Sequence, residues 1–343
     1  MRAAIYNPYL DTLGGGERYS MAFAKALSQN GYKVDVQWRN EKIKKILEER
    51  FGMDLRGIKV VKDTKKGDGY DFYFWVSDGS IPLLRARRNF LHFQFPFTGV
   101  SGRSLLNKMK LFRIEKVICN SYFTKSFVDE EYGCESIVIY PPVDVDKFKS
   151  KRKENMILYV GRFSQLEQAK NQDILVSAFK KLFKAGYKDW KLVLAGGVEV
   201  GVDDYIEKLK ESAKLFPIEI IESPTLSQLK ELYGKAKYFW SASGFGIDER
   251  KEPKKVEHFG ITVVESMAAG CVPIVYNAGG HKEIIADDYN GYLWNNTREL
   301  LGKTKRLIKD TKLTKQISLE AKEGSKVYEY RRFEAEIYKI LQK

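Results

Sequence analysis

The sequence has few of the residues from which disulfide frameworks and transition-metal sites are built. Its 343 residues include three cysteines and three histidines. Cys119, Cys134 and Cys271 lack the paired spacing of a zinc site or a disulfide-stapled domain, and no histidine clusters with them. We therefore expect buried free thiols, no metal site and no bound cofactor.

Long apolar runs and low-complexity segments are also missing. No run approaches the roughly 18 apolar residues that a transmembrane helix needs. The segment 1–6 (MRAAIY) is typical of a first strand and lacks the apolar stretch of a signal peptide. We expect an intracellular, cytoplasmic protein, for which peripheral association with a membrane stays open.

Basic residues outnumber acidic ones. Lys and Arg number 59 and Asp and Glu number 45, which gives a formal net charge of +14. Such an excess attracts an anionic partner: nucleic acid, an anionic membrane surface or a phosphorylated ligand. No nucleic-acid recognition motif accompanies the charge, so we do not expect nucleic acid as the partner.

Apolar segments alternate with amphipathic ones, which is the pattern of α/β folds. A segment with two prolines and a charge run, 140–154, interrupts the alternation as a linker does. The predicted strands are 3–6, 32–38, 59–61, 70–75, 89–93, 116–120 and 136–140, then 156–160, 191–195, 218–221, 238–241 and 272–276; a long helical tail is predicted over 319–341. A chain of 343 residues is long for one core. We predict two doubly wound halves.

Three glycines follow the first predicted strand. Gly14, Gly15 and Gly16 open an amphipathic helix at a strand's carboxyl end, where open α/β sheets bind ligands. They lack the G-x-G-x-x-G spacing of a dinucleotide site. A contact with phosphate or sugar and a simple tight turn explain them equally well.

His92 ends another predicted strand, within the aromatic segment 90–97 (FLHFQFPF). A lone histidine on an apolar strand is more often a core residue. Its position at the carboxyl end of that strand also allows a ligand contact, so both interpretations stay open.

The segment 101–113 has apolar residues at helical spacing with basic residues between them. One interpretation is a helix that lies on an anionic membrane surface. The other, which we favour slightly, is a helix whose apolar face packs on the core and whose basic face is solvated.

The second half carries its candidate chemistry in two places. A Gly-Arg pair at 161–162 follows its first strand, and Lys170 precedes the next helix. The segment 257–276 holds Glu257 and Glu265 eight positions apart, around a loop and a helix start. Free N–H groups and the helix dipole favour anions there. Taken alone, however, the two glutamates are more typical of surface charges.

Asp144 and Asp146 have the D-x-D spacing with which some sugar-transferring enzymes hold a divalent cation. Both fall in the proline-containing linker. We interpret the spacing as accidental.

These motifs, in this order, resemble the GT4 family of retaining glycosyltransferases. The resemblance covers nearly the whole chain; it rests on 14–18 (GGGER), Gly161-Arg162 with Lys170, Glu257-x7-Glu265 followed by SMAAG, and 277–280 (NAGG). The sequences of 258–265 (HFGITVVE) and of 7–9 (NPY) most resemble those of the dolichol-linked-oligosaccharide α-1,2-mannosyltransferase branch.

This resemblance implies a GT-B fold of two Rossmann-like, doubly wound parallel-sheet domains with an interdomain cleft. The implied domains are an acceptor-side domain over 1–147, a nucleotide-sugar domain over 148–323, and a last helix, 324–343, that crosses back to the first domain.

Catalytic roles follow from the same resemblance. Arg162 and Lys170 match the basic pair that holds the donor's diphosphate, in place of a metal. Glu257 matches the carboxylate that holds the hydroxyls of the transferred sugar. His92 matches a position at the donor sugar.

Donor-binding roles are implied as well. Glu265 matches the carboxylate that accepts the ribose hydroxyls. The main chain of the loop and helix start matches the diphosphate site, and the glycine loop matches one that approaches the donor; these residues are Phe259, Gly260, Ile261 and Thr262, and Gly14, Gly15 and Gly16.

The implied function is retaining, metal-independent transfer of a hexose, mannose or glucose, from a GDP-mannose or UDP-glucose type donor to a glycan or lipid-linked acceptor. The alternative is a non-catalytic basic scaffold of the same fold that binds an anionic membrane surface or nucleic acid. Two features depart from the family: a longer turn between Arg162 and Lys170, and a charged insertion at 247–256.

Overall fold

The computed structural model of the protein describes residues 1–165, 168–199 and 201–342. The chain forms two compact units: unit 1 comprises Met1–Pro142 and the chain from Tyr330 onward, and unit 2 comprises Val143–Glu329. The boundaries therefore fall at 142/143 and 329/330, where the sequence predicted 147/148 and 323/324.

Unit 1 is built on a seven-stranded sheet in which every neighbouring pair is parallel. Its strands are β1 Arg2–Tyr6, β2 Lys33–Gln37, β3 Ile58–Val61, β4 Phe72–Val76, β5 Arg88–Phe93, β6 Lys116–Cys119 and β7 Ile137–Val138, and its first four helices are α1 Gly15–Gln29, α2 Lys42–Phe51, α3 Leu105–Leu111 and α4 Tyr122–Tyr132. The order β3-β2-β1-β4-β5-β6-β7 reverses between β1 and β4. In doubly wound sheets ligands bind at the carboxyl ends of the strands beside such a reversal.

Unit 2 repeats the plan with six parallel strands in the order β10-β9-β8-β11-β12-β13. The strands are β8 Glu154–Val160, β9 Lys191–Gly196, β10 Ile218–Glu222, β11 Ala236–Ser241, β12 Val272–Tyr276 and β13 Tyr292–Trp294; the helices are α5 Gln172–Lys184, α6 Asp203–Ala213, α7 Leu226–Lys235, α8 Ile261–Ala268, α9 His281–Ile284, α10 Thr297–Lys309 and α11 Thr311–Ser325. Here the order reverses between β8 and β11, so the loops after these two strands lie at the expected ligand position.

The central strands are buried on both faces, as parallel sheets covered by helices require. In β8, every residue from Met156 to Val160 is buried. In β4, Phe72, Tyr73 and Phe74 are buried, whichever face they point to. These continuous apolar runs are why the strands could be predicted from sequence.

The predicted continuous helical tail is wrong. Helix α11 ends at Ser325, a single 3-10 turn follows, and Glu329 is extended before α12 begins as Tyr330–Leu341. The break occurs because the Tyr328 carbonyl accepts a 2.8 Å hydrogen bond from the Val143 N–H, and Val143 forms a bridge with Glu329. Within unit 1, α12 packs on α1, where the Phe333 ring meets Tyr19 edge to face at 5.3 Å.

The favoured core-facing interpretation of the segment 101–113 is also wrong. No residue of α3 is buried, and its large apolar side chains are the most exposed group of this kind in unit 1: Leu105 is 75% exposed, Leu106 69%, Met109 60% and Phe112, just past the helix, 90%. The helix contacts the unit through Leu111 on its opposite side. The apolar face therefore points to solvent.

Two further observations concern regions outside the sheets. Asp144 of the D-x-D sequence forms an ion pair with Lys147 at 2.9 Å. Within the part of the chain that the structure describes, no helix is both long and apolar enough to cross a bilayer.

Candidate active site

An ion pair lies at the carboxyl edge of the unit 2 sheet. Lys170 Nζ is 2.9 Å from Glu257 Oε2, and the two side chains are only 13% and 19% exposed. Burial by itself opposes ionisation of the carboxyl group, but the charge of Lys170 outweighs it and lowers the pKa of Glu257 to about 2. Glu257 is therefore a fixed carboxylate that accepts hydrogen bonds at neutral pH.

The loops that carry this pair are fastened to each other. Gln168 accepts a 2.9 Å hydrogen bond from Lys170 Nζ through Oε1 and donates a 2.7 Å bond from Nε2 to the Val256 carbonyl. Asn171 Nδ2 donates to the Ala242 carbonyl, just after β11, at 2.9 Å. Lys170 thus reaches Glu257 across the two loops at the reversal of strand order. Leu166 and Glu167, which belong to the lengthened turn, lie outside the described residues.

The Glu257 main chain rests on a glycine turn after β12. The Gly280 N–H donates to the Glu257 carbonyl at 2.7 Å. A Cβ on Gly279 would lie 2.1 Å from that carbonyl oxygen, and one on Gly280 would lie 2.4 Å from the Phe259 Cα. Gly279 also has φ +55°. Only glycine permits this approach, so the pair at 279–280 fixes the position of the Glu257 loop.

The charged insertion at 247–256 braces the same turn. Glu249 Oε2 accepts a 2.8 Å hydrogen bond from the Gly279 N–H, and Glu249 Oε1 pairs with Lys282. The sequence marked the insertion as unusual but did not indicate that it supports the Glu257 loop.

Replacing Gly279 by alanine should displace the Glu257 loop, because the added Cβ would lie 2.1 Å from the Glu257 carbonyl oxygen, a backbone atom of that loop. We expect a fall in kcat on the order of 10²-fold, the effect of moving a reacting group by about 1 Å. Steady-state transfer rates would measure it. Gly302→Ala is the control, since that glycine lies in α10 with open space around it; equal rates for the two variants would contradict the prediction.

Helix α8 begins beside Glu257. Gly260, with φ +115°, turns the chain into the helix, and the first helical bonds run from the Val263 and Val264 N–H groups to the Gly260 carbonyl. The N–H groups of Ile261 and Thr262 precede those bonds at the positive end of the helix dipole. The Phe259 side chain is buried against Tyr328 with the rings 5.3 Å apart. This end of α8 is suited to an anion.

Glu265 lies one helical turn further along α8 and is almost fully buried, at 7% exposure. Its Oε2 accepts a 3.0 Å hydrogen bond from the Tyr233 hydroxyl. This contact holds the carboxylate in one orientation. Nothing in the sequence around Tyr233 pointed to it.

Arg162 has a different setting from Lys170. Its guanidinium Nη1 is 3.7 Å from Glu199 Oε1 and its side chain is 44% exposed, so this arginine is held loosely. Its carbonyl is fixed by a 3.0 Å hydrogen bond from Gln172 Nε2. The structure therefore joins Lys170 with Glu257 directly and places Arg162 beside Glu199, which the sequence analysis did not single out.

The predicted residues of unit 1 lie at the carboxyl edge of its own sheet. Gly14 precedes α1, and its N–H donates to Glu17 Oε2 at 2.7 Å; Gly15 is the first helical residue. A Cβ on Gly16 would lie 1.4 Å from Gln94 Oε1, so a larger residue there would displace the Gln94 side chain. Contact of these glycines with a donor stays a prediction.

His92 lies in the aromatic core of unit 1. It is completely buried, its ring stacks on Tyr19 with centroids 4.2 Å apart, and Nδ1 is 3.1 Å from the Ile118 carbonyl. Burial lowers the pKa of His92 to about 3, so the imidazole is neutral. This placement agrees with the core interpretation; a role at the sugar stays a prediction.

Two buried histidines flank Glu257. His258 Nε2 is 3.1 Å from the Lys254 carbonyl and His281 Nδ1 is 2.8 Å from the Tyr276 carbonyl. Burial lowers both pKa values, that of His258 to about 4. Each imidazole is therefore held neutral and donates an N–H to a main-chain carbonyl.

Acid should destabilise unit 2 before Glu257 is protonated. A histidine with a lowered folded-state pKa is protonated first in the unfolded chain, so stability falls as pH drops from about 6.5 to about 4, by up to ~1.4 kcal/mol per pH unit per histidine. Glu257 adds a loss only below its usual pKa range, down to about pH 2. Denaturant titrations at pH 7 and pH 5 should show a smaller loss for His258→Gln than for the unaltered chain; an equal loss would contradict the assignment.

The two all-parallel, doubly wound units define a GT-B fold, as predicted. The family model of glycosyl transferases group 1 matches residues 143–324, which include all of the unit 2 site. The chain belongs to this family, and the resemblance inferred from the motifs is confirmed.

Curated relatives include mannosyltransferases of two kinds. A GDP-Man:Man(3)GlcNAc(2)-PP-Dol alpha-1,2-mannosyltransferase of Neurospora crassa is 28% identical over 232 residues, which are 57% of this chain and 40% of that protein. The alpha-1,3/1,6-mannosyltransferase ALG2 of Dictyostelium discoideum is 25% identical over 301 residues, 71% of this chain and 68% of that protein. The chain thus spans less than half the length of the Neurospora enzyme.

Among solved structures, HepE of Anabaena in complex with UDP has a TM-score of 0.79 and covers 100% of both chains at 17% identity. The same protein with UDP-glucose gives a TM-score of 0.78. This likeness supports the fold.

Proposed function

We propose that the chain is a retaining, metal-independent glycosyltransferase. It would move a hexose, mannose or glucose, from a nucleoside diphosphate sugar to a hydroxyl of a glycan or lipid-linked acceptor. The observation that carries the proposal is the buried Lys170–Glu257 ion pair, placed where the unit 2 strand order reverses and beside the start of α8.

The diphosphate of the donor would lie between Lys170 and the N-terminal end of α8. Negative charge grows on the departing diphosphate as the bond to the sugar breaks. An ammonium group and the first N–H groups of α8 stabilise that charge, and both are positioned before substrate arrives. Arg162, exposed and loosely paired with Glu199, has the freedom to turn toward the diphosphate. These groups would take the place of the divalent cation that other transferases use.

Glu257 would hold the hydroxyls of the transferred sugar. Its ion pair with Lys170 stabilises the carboxylate, which suits hydrogen-bond acceptance better than covalent attack. We therefore infer front-face substitution. The acceptor oxygen bonds to the anomeric carbon as the bond to the phosphate oxygen breaks, and the proton of the acceptor hydroxyl passes to that phosphate oxygen.

Glu265 would accept the ribose hydroxyls, since Tyr233 already fixes its carboxylate in a buried position. The names of the relatives support this class of donor. The Neurospora enzyme is named for GDP-mannose and a dolichol-linked acceptor, and HepE was solved with UDP-glucose. We carry both donor types forward as candidates.

The test is a transfer assay with radiolabelled GDP-mannose and UDP-glucose, in EDTA and without it. We expect transfer from one donor at equal rates in both conditions, and a product whose anomeric configuration, read by NMR, matches the donor. Loss of transfer on chelation would overturn metal independence, and an inverted product would overturn retention.

The alternative from the sequence, a non-catalytic basic scaffold, predicts different ligands. Ligands that bind only the folded state raise the melting temperature. We expect GDP or UDP to raise it and a DNA duplex to have no effect. The reverse result would favour the scaffold.

A further inference from the structure

The exposed face of α3 is apolar, as is typical of a surface that contacts a partner. Leu105, Met109 and Phe112 recur at positions i, i+4 and i+7, which lie on one side of a helix, and Leu106, about 100° further round, widens that side. All four are at least 60% exposed. Single exposed apolar residues are ordinary, but four adjacent ones on one short helix indicate an interaction surface.

Basic residues surround this face. Lys108 and Lys110 flank the apolar row on either side, and Arg103 and Arg113 lie at its two ends. The segment 101–113 has four basic residues and no acidic one. A partner of this face must therefore be both apolar and anionic.

The loop before α3 holds the helix in this outward position. Glu131, on α4, accepts hydrogen bonds from the N–H groups of Gly99, Val100 and Gly102 at 2.8, 3.0 and 3.0 Å. Arg103 Nε donates to the Glu130 carbonyl at 2.9 Å. A Cβ on Gly102 would lie 2.6 Å from the Glu131 carbonyl oxygen. The exposure of the apolar face is therefore fixed by its anchor on α4.

We infer that α3 docks unit 1 on the surface of a bilayer that contains anionic lipid. Its four apolar side chains enter the boundary between headgroups and acyl chains, while Lys108, Lys110 and Arg113 contact the lipid phosphates. A bilayer combines an apolar interior with a layer of negative charge, which is the combination that this face matches. The inference rests on the proposed function in one respect: a lipid-linked acceptor lies in the bilayer, so docking would bring the enzyme to its acceptor.

Flotation of the intact chain with lipid vesicles tests the inference without any transfer assay. We expect binding to vesicles of phosphatidylcholine with 30% phosphatidylglycerol, on the order of tenfold weaker binding to pure phosphatidylcholine, and weaker binding in 0.5 M NaCl. The double variant Leu106→Ser, Phe112→Ser should bind at least about tenfold more weakly, because each lost side chain removes apolar burial. Lys108→Gln with Lys110→Gln should reduce the preference for the anionic lipid.

The matched control is Leu215→Ser with Leu319→Ser, two leucines of unit 2 that are 88% and 69% exposed. This control should bind vesicles as the unaltered chain does. Absence of binding by the unaltered chain, or an equal loss in test and control variants, would overturn the inference. So would a dimer, seen by light scattering, that Leu106→Ser with Phe112→Ser abolishes, because α3 would then pair two copies. Transfer to a water-soluble acceptor should be unchanged in the α3 variants, which separates this test from that of the proposed function.

Discussion

Replacing Glu257 by glutamine is expected to lower kcat by about two to three orders of magnitude, the usual effect of removing one positioned electrostatic contact at a reacting centre. The amide keeps the size of the side chain but removes its charge. Lys170, only 13% exposed, then loses its counter-ion, so both the sugar contact and the diphosphate contact are weakened. Initial rates at saturating donor measure the effect.

The matched control is Glu252→Gln. Glu252 lies in the same loop region, where it forms an exposed ion pair with Lys255. It should keep its rate, since exposed ion pairs contribute little. Circular dichroism should show both variants folded. A Glu257→Gln variant with unchanged kcat would remove Glu257 from the site.

Replacing Lys170 by methionine should cause a loss of similar size, about 10²- to 10³-fold in kcat, because the departing diphosphate loses its buried cation. Methionine retains most of the length and apolar stem of lysine. The informative comparison is the double variant with Glu257→Gln. Since the two side chains are in direct contact at 2.9 Å, their effects should not add, and the double variant should be about as slow as the slower single one.

Arg162→Met provides the contrast for this cycle, because Arg162 pairs with Glu199 rather than with Glu257. Combined with Glu257→Gln, its effect should be closer to additive. Strict additivity between Lys170 and Glu257 would show that the ion pair does not act as a unit.

The fold could be predicted because its strands are unusually clear in the sequence. A strand buried on both faces is a short continuous apolar run, and β8 and β4 are both of this kind. Ordering these runs along the chain gave two doubly wound halves, and the motifs at their ends gave the family. The tail could not be predicted in this way, because helical periodicity continues through Tyr328, whereas α11 ends at Ser325 and the Tyr328 carbonyl accepts a hydrogen bond from the Val143 N–H.

The candidate site could be predicted in part. Glu257, Glu265, Lys170 and the start of α8 were singled out in the sequence, but their roles came from the resemblance to the family. The side chains that orient them were not singled out. Gln168 and Tyr233 are ordinary polar residues in sequence. Their roles depend on hydrogen bonds to Val256 and Glu265, which are 88 and 32 positions away along the chain. The placement of His92 was open for the same reason, since a strand end can point to the core or to a ligand.

By itself, the sequence determined the α/β class, the two halves, the family and the residue types of the site, because these depend on periodicity and on short motifs. The tertiary structure decided which side chains meet and which remain exposed. Lys170 reaches Glu257 because two loops converge where the strand order reverses, and the apolar face of α3 is exposed because its anchor to Glu131 turns the opposite side toward the core. A helix pattern defines an apolar face, but only packing determines what that face contacts.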